Sequence, residues 1–248
     1  IVHCNDWQTG VVSVFLKAYY SSNEFYKDIK TIYTIHNLKY QGIFPKIVLE
    51  DILGLGWEYY SIDGLEFYDQ VNYMKAGIAY SDIITTVSRT YAEEIKHDFF
   101  GEKLNGLINK RADRLYGILN GIDYEENNPA EDKRIFARFS AEDLQGKRIN
   151  KKMLQESLKL PQREDVPLLS IVSRLVDQKG FDLIAAVLNE LLEMDIQLVI
   201  LGTGEGCYEE MFRSAAVRYP EKVSANIKYD EVLAQRIYAG SDMFLMPS

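Results

Sequence analysis

Apolar and polar positions follow two alternating rhythms along the chain. Short apolar runs at Ile1 to Asn5, Thr31 to Ile35, Asp82 to Val87, Leu115 to Leu119, Leu168 to Val172, Gln197 to Leu201, Val223 to Ile227 and Met243 to Met246 predict strands. Between them the spacing lengthens to a helical period. Phe181, Ile184, Leu188, Leu191 and Leu192 keep one stripe, and Met211, Ala215 and Val217 keep a less regular one. Strand and helix in repetition predict βαβ units, hence an α/β chain with mostly parallel sheets.

Two stretches break the rhythm. Asn127 to Asp165 opens with Asn127-Asn128-Pro129-Ala130-Glu131-Asp132 and contains no strand candidate, only a helix expected around Ile149 to Leu158, with Pro161 and Pro167 beyond. It reads as a connection between two α/β bodies, and the boundary is placed near Leu119 to Asp123, giving domains 1–119 and 120–248. The second irregular stretch, Asn37 to Asp69, precedes a helix expected from Val71 to Tyr80. Its Tyr40, Phe44, Trp57, Tyr59, Tyr60, Phe67 and Tyr68 suit stacking on sugar rings, although packing a long loop onto a sheet is the commoner use of such aromatics.

Charge narrows the partners. The 28 Lys and Arg against 37 Asp and Glu leave a formal net charge of -9, so nucleic acid and acidic membrane surfaces are disfavoured. A local cluster of cations can still take a small phosphorylated ligand. Cys4 and Cys207 show no disulfide or metal-site spacing, and with no apolar run of about 18 residues and no leader-like opening the chain is expected to be soluble and cytoplasmic. Both ends look strand-like, which would leave ladder groups unpaired, so a fragment with two incomplete domains is expected.

In open parallel sheets ligands gather at the carboxyl ends of strands. Asp6, His36, Arg174 and the turn Gly202-Thr203-Gly204 follow such ends. Arg174 and Lys179 flank a strand-to-helix corner, where two fixed cations suit a diphosphate, but Asp177 between them offers the plainer alternative of an ion pair with Arg174. His36 can donate to a carbonyl or hydroxyl near neutral pH, although a lone histidine is more often structural. Of the other two histidines, His97 is expected on a helix surface and His3 inside a strand.

Asp6 suits either a sugar hydroxyl or the cap of the next helix. Asn120 lies in an Asn-Gly dipeptide, which by itself signals a turn. Thr90 with Glu93 fits a capping box. Gly202-Thr203-Gly204-Glu205-Gly206 departs from G-x-G-x-x-G by one place and reads as a tight turn rather than a dinucleotide site. No Asp-x-Asp pair or His/Cys cluster is present, so neither a catalytic metal nor another cofactor is expected.

Taken in order, Asn5-Asp6-Trp7-Gln8-Thr9-Gly10, Thr34 to Gly42, Lys75-Ala76-Gly77, Thr85 to Ala92, Leu119-Asn120-Gly121-Ile122-Asp123 and Ser173 to Gly180 resemble the motifs of bacterial glycogen synthases and plant starch synthases. The resemblance covers essentially the whole chain. It implies two Rossmann-like domains of GT-B type facing each other across a cleft, the first on the acceptor side and the second binding the nucleotide sugar. The implied reaction is glucose transfer from ADP-glucose to the non-reducing end of an α-1,4-glucan with retention of configuration.

By motif match, Arg174 and Lys179 would hold the diphosphate of ADP-glucose or ADP, His36 would contact the donor glucose, and Asp6 would line the same cleft. Asn120, Tyr229 and Gln41 would bind substrate, with Tyr229 on the adenine side. Breaking the glucose–phosphate bond builds negative charge on the departing ADP, so fixed cations there lower the barrier without a metal.

The family's Lys-x-Gly-Gly-Leu motif belongs before Ile1 and its Arg-x-Glu-Pro-x-Gly-Leu segment after Ser248, so the isolated chain is expected to be nearly inactive. Gln8 stands where many relatives carry histidine. The alternatives are a related GT-B enzyme using UDP-glucose, a nicotinamide-dependent oxidoreductase, and a non-catalytic nucleotide- or sugar-binding module.

Overall fold

The computed structural model describes residues 1–247 of the chain. They fall into two compact units, Ile1–Gly121 and Ile122–Ser248.

The first unit runs β1 (Val2–Asn5), α1 (Val12–Tyr19), β2 (Thr31–Ile35), β3 (Ile43–Pro45), α2 (Val48–Asp51), β4 (Glu66–Phe67), β5 (Gln70–Asn72), α3 (Tyr73–Tyr80), β6 (Ile83–Thr86), α4 (Arg89–Glu94), α5 (Asn105–Lys110) and β7 (Leu115–Gly117). Its main sheet has the order β1-β2-β6-β7 and is parallel throughout. Tyr33, Ile35 and Ile84 from the central strands are buried with Met74 and Ile78 of α3 and Ile95 and Ile108.

The stretch Asn37 to Asp69, read from sequence as irregular, holds real structure. β3 and β4 pair antiparallel with β5 in a small second sheet, Phe44 opposite Val71 and Phe67 opposite Gln70. Strands of two or three residues are too short for alternation to show, so only their pairing reveals them. Val71, expected in the helix, is therefore a strand residue, and α3 starts two places later because Asn72 caps it, accepting from the Lys75 N–H at 2.8 Å.

The box expected at Thr90 shifts in the same way. Ser88, in extended backbone at φ -158, is the cap of α4 and accepts from the Tyr91 N–H, whereas Thr90 already lies inside the helix. α4 stops at Glu94, so His97 sits in the bend beyond it rather than on the helix. His3 lies in β1 as expected, with Nε2 2.7 Å from Thr34 Oγ1.

Tyr33 is fully buried, and its hydroxyl has no hydrogen-bond partner among the described residues. Its ring presses on Gly77, where an added Cβ would lie 2.4 Å from Tyr33 Cε2. An unmatched buried hydroxyl is a cost rather than a support, so Tyr33→Phe should leave stability unchanged or raise it by about 1 kcal/mol. Chemical unfolding checks this; a clear loss of stability would mean the hydroxyl is supporting the core.

The second unit runs α6 (Gln145–Ser157), β8 (Leu168–Val172), α7 (Phe181–Glu193), β9 (Gln197–Leu201), α8 (Gly206–Arg218), β10 (Val223–Asn226), α9 (Glu231–Gly240) and β11 (Met243–Phe244). Its sheet has the order β10-β9-β8-β11 and is again all parallel. Leu198 and Ile200 of β9 point into the core shared with α7 and α8, while Val199 and Leu201 join Leu154 of α6 and Leu233 and Ile237 of α9 on the opposite face. A strand covered on both faces is apolar nearly throughout, which is why Leu198 to Leu201 reads as a continuous run, and its one buried polar residue, Gln197, is satisfied by Gln155 and the Pro161 carbonyl.

Candidate functional site

In the first unit, the carboxyl ends of β1 and β2 are neighbours, Asn5 lying opposite Thr34. Asp6 follows with φ 53 and ψ -176, a glycine-favoured backbone that costs a non-glycine residue roughly 1–3 kcal/mol. The turn aims its carboxylate at the adjoining strand end, where Oδ1 accepts from the His36 N–H at 2.8 Å. No side-chain cap bond joins Asp6 to the Trp7–Thr9 turn, so its carboxylate serves His36 rather than a helix end.

The exposed His36 imidazole places Nε2 2.9 Å from Asn5 Oδ1. Thr9 Oγ1 locks this corner, accepting from the Asn5 N–H at 2.7 Å and donating to the Asn5 carbonyl at 2.8 Å. The two motifs also touch through Gly42. It has φ 62, and an added Cβ would lie 2.3 Å from the Trp7 ring, so a side chain there would part them.

Gln41, expected to bind substrate, is placed differently. It is buried, its Nε2 donates to the Glu102 carbonyl at 2.9 Å, and its Oε1 accepts from Asn72 Nδ2 at 2.5 Å. The amide is thus spent on fastening the loop to Asn72 at the β5–α3 junction and to Glu102 in the segment before α5, and substrate contact would require breaking both bonds. Asn120 lies exposed after β7, and its side chain has no hydrogen bond among the described residues. A cavity of about 500 Å³ in this unit, bordered by Tyr68, Lys75, Lys103 and Lys110, includes Phe67 and Tyr68 of the aromatics suited to sugar stacking but none of Asp6, His36, Gln41 and Asn120.

In the second unit, the chain leaves β8 and is stitched to the loop after β9. The Ser173 N–H donates to Leu201 O at 3.1 Å, Leu175 N–H to Thr203 O at 3.0 Å, and Glu205 N–H to Leu175 O at 2.8 Å. Gly202 and Gly204 make this approach possible, since an added Cβ would lie 1.8 Å from Ser173 O and 2.1 Å from Leu175 O respectively. The tight turn read from the sequence is therefore a close packing of two strand ends.

Arg174 projects from this corner and is exposed; Lys179 closes a single 3-10 turn, Asp177–Lys179, just before α7. Neither cation has an ion-pair or hydrogen-bond partner for its side chain among the described residues. The expected competitor does not take Arg174, because the Asp177 carboxylate accepts from the Tyr208 hydroxyl instead.

Arg174 borders a pocket of about 320 Å³ together with Gly202, Thr203, Lys228, Tyr229 and Tyr238. Tyr229 is 83% exposed, and its hydroxyl donates to Glu231 Oε1 at 2.6 Å, which holds the ring at the rim. Lys228 pairs with Asp230 at 2.7 Å, and Asp230 caps α9 by accepting from Leu233 N–H. Lys179 borders a separate, smaller recess beside Ser173 and Phe244. The structure thus gathers Arg174 and Tyr229 at one pocket and sets Lys179 on the other side of the same corner.

The sequence by itself assigns no role to Tyr208, nor any to Asn5 beyond its place at the head of the Asn5-Asp6-Trp7-Gln8-Thr9-Gly10 motif. Asn5 adjoins the motif aspartate, and its strand-end position was the available signal. Tyr208 gives no local signal, because its partner is 31 residues away.

Residues 1–110 match the starch synthase catalytic domain. Over all 248 residues the chain is 57% identical to the glycogen synthase of Desulforamulus reducens and 54% identical to that of Clostridium novyi, covering 52% of each. Among solved structures it matches the catalytic domain of starch synthase IV from Arabidopsis thaliana, bound to ADP and acarbose, with a TM-score of 0.92 and 36% identity over 99% of this chain and 51% of that one. The chain spans about half the length of the curated relatives it matches. Along its whole length, in sequence and in its α/β backbone with parallel sheets, the chain is related to the glycogen and starch synthases.

Proposed function

We propose that this chain is part of a retaining glucosyltransferase that moves glucose from ADP-glucose to the non-reducing end of an α-1,4-glucan in the cytoplasm. The first unit serves the acceptor side and the second binds the nucleotide sugar. Arg174 and Lys179 hold the diphosphate, Tyr229 lies beside the adenine, His36 contacts the glucose, and Asp6 and Asn5 orient that histidine. Asn120 lines the substrate site, while Gln41 acts at one remove by fixing the His36 loop.

One observation carries the reading: two cations without acidic partners stand at one strand-to-helix corner. Negative charge grows on the diphosphate as the glycosidic phosphate bond breaks, so cations already in place stabilise the transition state more than the ground state. The relationship to glycogen synthases and to a starch synthase that binds ADP supports the adenine nucleotide. Titration of the chain with ADP and UDP tests it. Saturable ADP binding, tighter than UDP binding and displaced by ADP-glucose, is expected; preference for UDP would move the donor to UDP-glucose, and binding of neither would remove the phosphate assignment.

A further inference from the structure

Asp177 lies three residues after Arg174 and two before Lys179, close enough in sequence to be a candidate ion-pair partner for either cation. Here its carboxylate accepts the Tyr208 hydroxyl, while its own N–H reaches Glu205 Oε1 at 3.4 Å. Tyr208 is well fixed. Its ring packs on Phe181 with centroids 5.5 Å apart, inside the core formed by α7, α8 and the sheet. The hydrogen bond to the carboxylate also pushes the Tyr208 hydroxyl above the ordinary phenol range, so it stays a donor at any working pH.

We infer that Tyr208 is a positioning residue for phosphate binding: by holding the Asp177 carboxylate it keeps this acid from neutralising Arg174 and Lys179, leaving both cations open to a diphosphate. The inference rests on the phosphate assignment above. A released carboxylate would weaken binding in two ways. It would form an ion pair that the ligand must first break, and it would repel the incoming anion directly.

The test is titration of ADP into the 248-residue chain as wild type, Tyr208→Phe and the double variant Tyr208→Phe/Asp177→Asn. Phenylalanine keeps the ring against Phe181 and removes only the hydroxyl, so a melting temperature near that of the wild type should accompany the binding data. The dissociation constant for ADP should rise roughly three- to fivefold in Tyr208→Phe, the scale of an exposed ion-pair competition. It should return to the wild-type value in the double variant, because an uncharged amide cannot compete for the cations. A loss of packing, by contrast, would persist in the double variant. Unchanged affinity in Tyr208→Phe, or a double variant as weak as the single one, would overturn the inference. Failure of the wild-type chain to bind ADP would overturn the phosphate assignment and this inference with it.

Discussion

Alanine at Arg174 or at Lys179 should cut glucosyl transfer from ADP-glucose by roughly 10²-fold or more in the complete enzyme. On the proposed reading each cation meets a diphosphate whose charge increases during the reaction, and neither is already neutralised by an acid among the described residues. The loss should therefore fall mainly on kcat, with a smaller change in donor KM. Lysine at 174 should rescue only part of the loss, because an ammonium lacks the forked donor geometry of a guanidinium. Steady-state kinetics at varied ADP-glucose, with ADP titration alongside, provide the check. Full turnover in both alanine variants would remove these residues from the phosphate site.

Alanine at Gly202 is expected to destabilise the second unit by about 3 kcal/mol or more and to abolish ADP binding at the adjoining pocket. The new Cβ would lie 1.8 Å from the Ser173 carbonyl oxygen, at φ +158, and a backbone atom cannot swing aside as a flexible side chain can. Relief would require parting the ends of β8 and β9, which carry Arg174 and Thr203 into the pocket. Gly206 in the same glycine-rich turn is the control. A Cβ there meets nothing within 4 Å, and the residue opens α8, so Gly206→Ala should be neutral or slightly stabilising. Equal behaviour of the two variants in thermal unfolding would contradict the packing account.

Much of the sheet architecture was legible because burial writes itself into local pattern. β8 and β9 are covered by helices on both faces, so Leu168 to Val172 and Gln197 to Leu201 appear as predominantly apolar runs, interrupted only by Ser170 and Gln197, whose ends match the strands. β3, β4 and β5 were hidden because two- and three-residue strands carry no usable period; their existence depends on Phe44 meeting Val71 across 26 intervening residues. The candidate site divides in the same way. Asp6, His36 and Arg174 could be singled out by position at strand ends. Whether Asp6 caps a helix or holds His36, and whether Gln41 faces solvent or Glu102, depends on partners 30 and 61 residues distant.

The chain's own order of residues therefore settled the alternation of strand and helix, the strand ends where chemistry collects, and the kinship with glycogen and starch synthases, since each of these is carried by neighbouring positions. Tertiary structure alone decided which polar groups are spent and which are left over. Asp177 is taken by Tyr208, Gln41 by Asn72 and Glu102, and Arg174 and Lys179 by no acid among the described residues. A side chain's charge is a property of its residue type, but its availability depends on what the fold brings within about 3 Å of it.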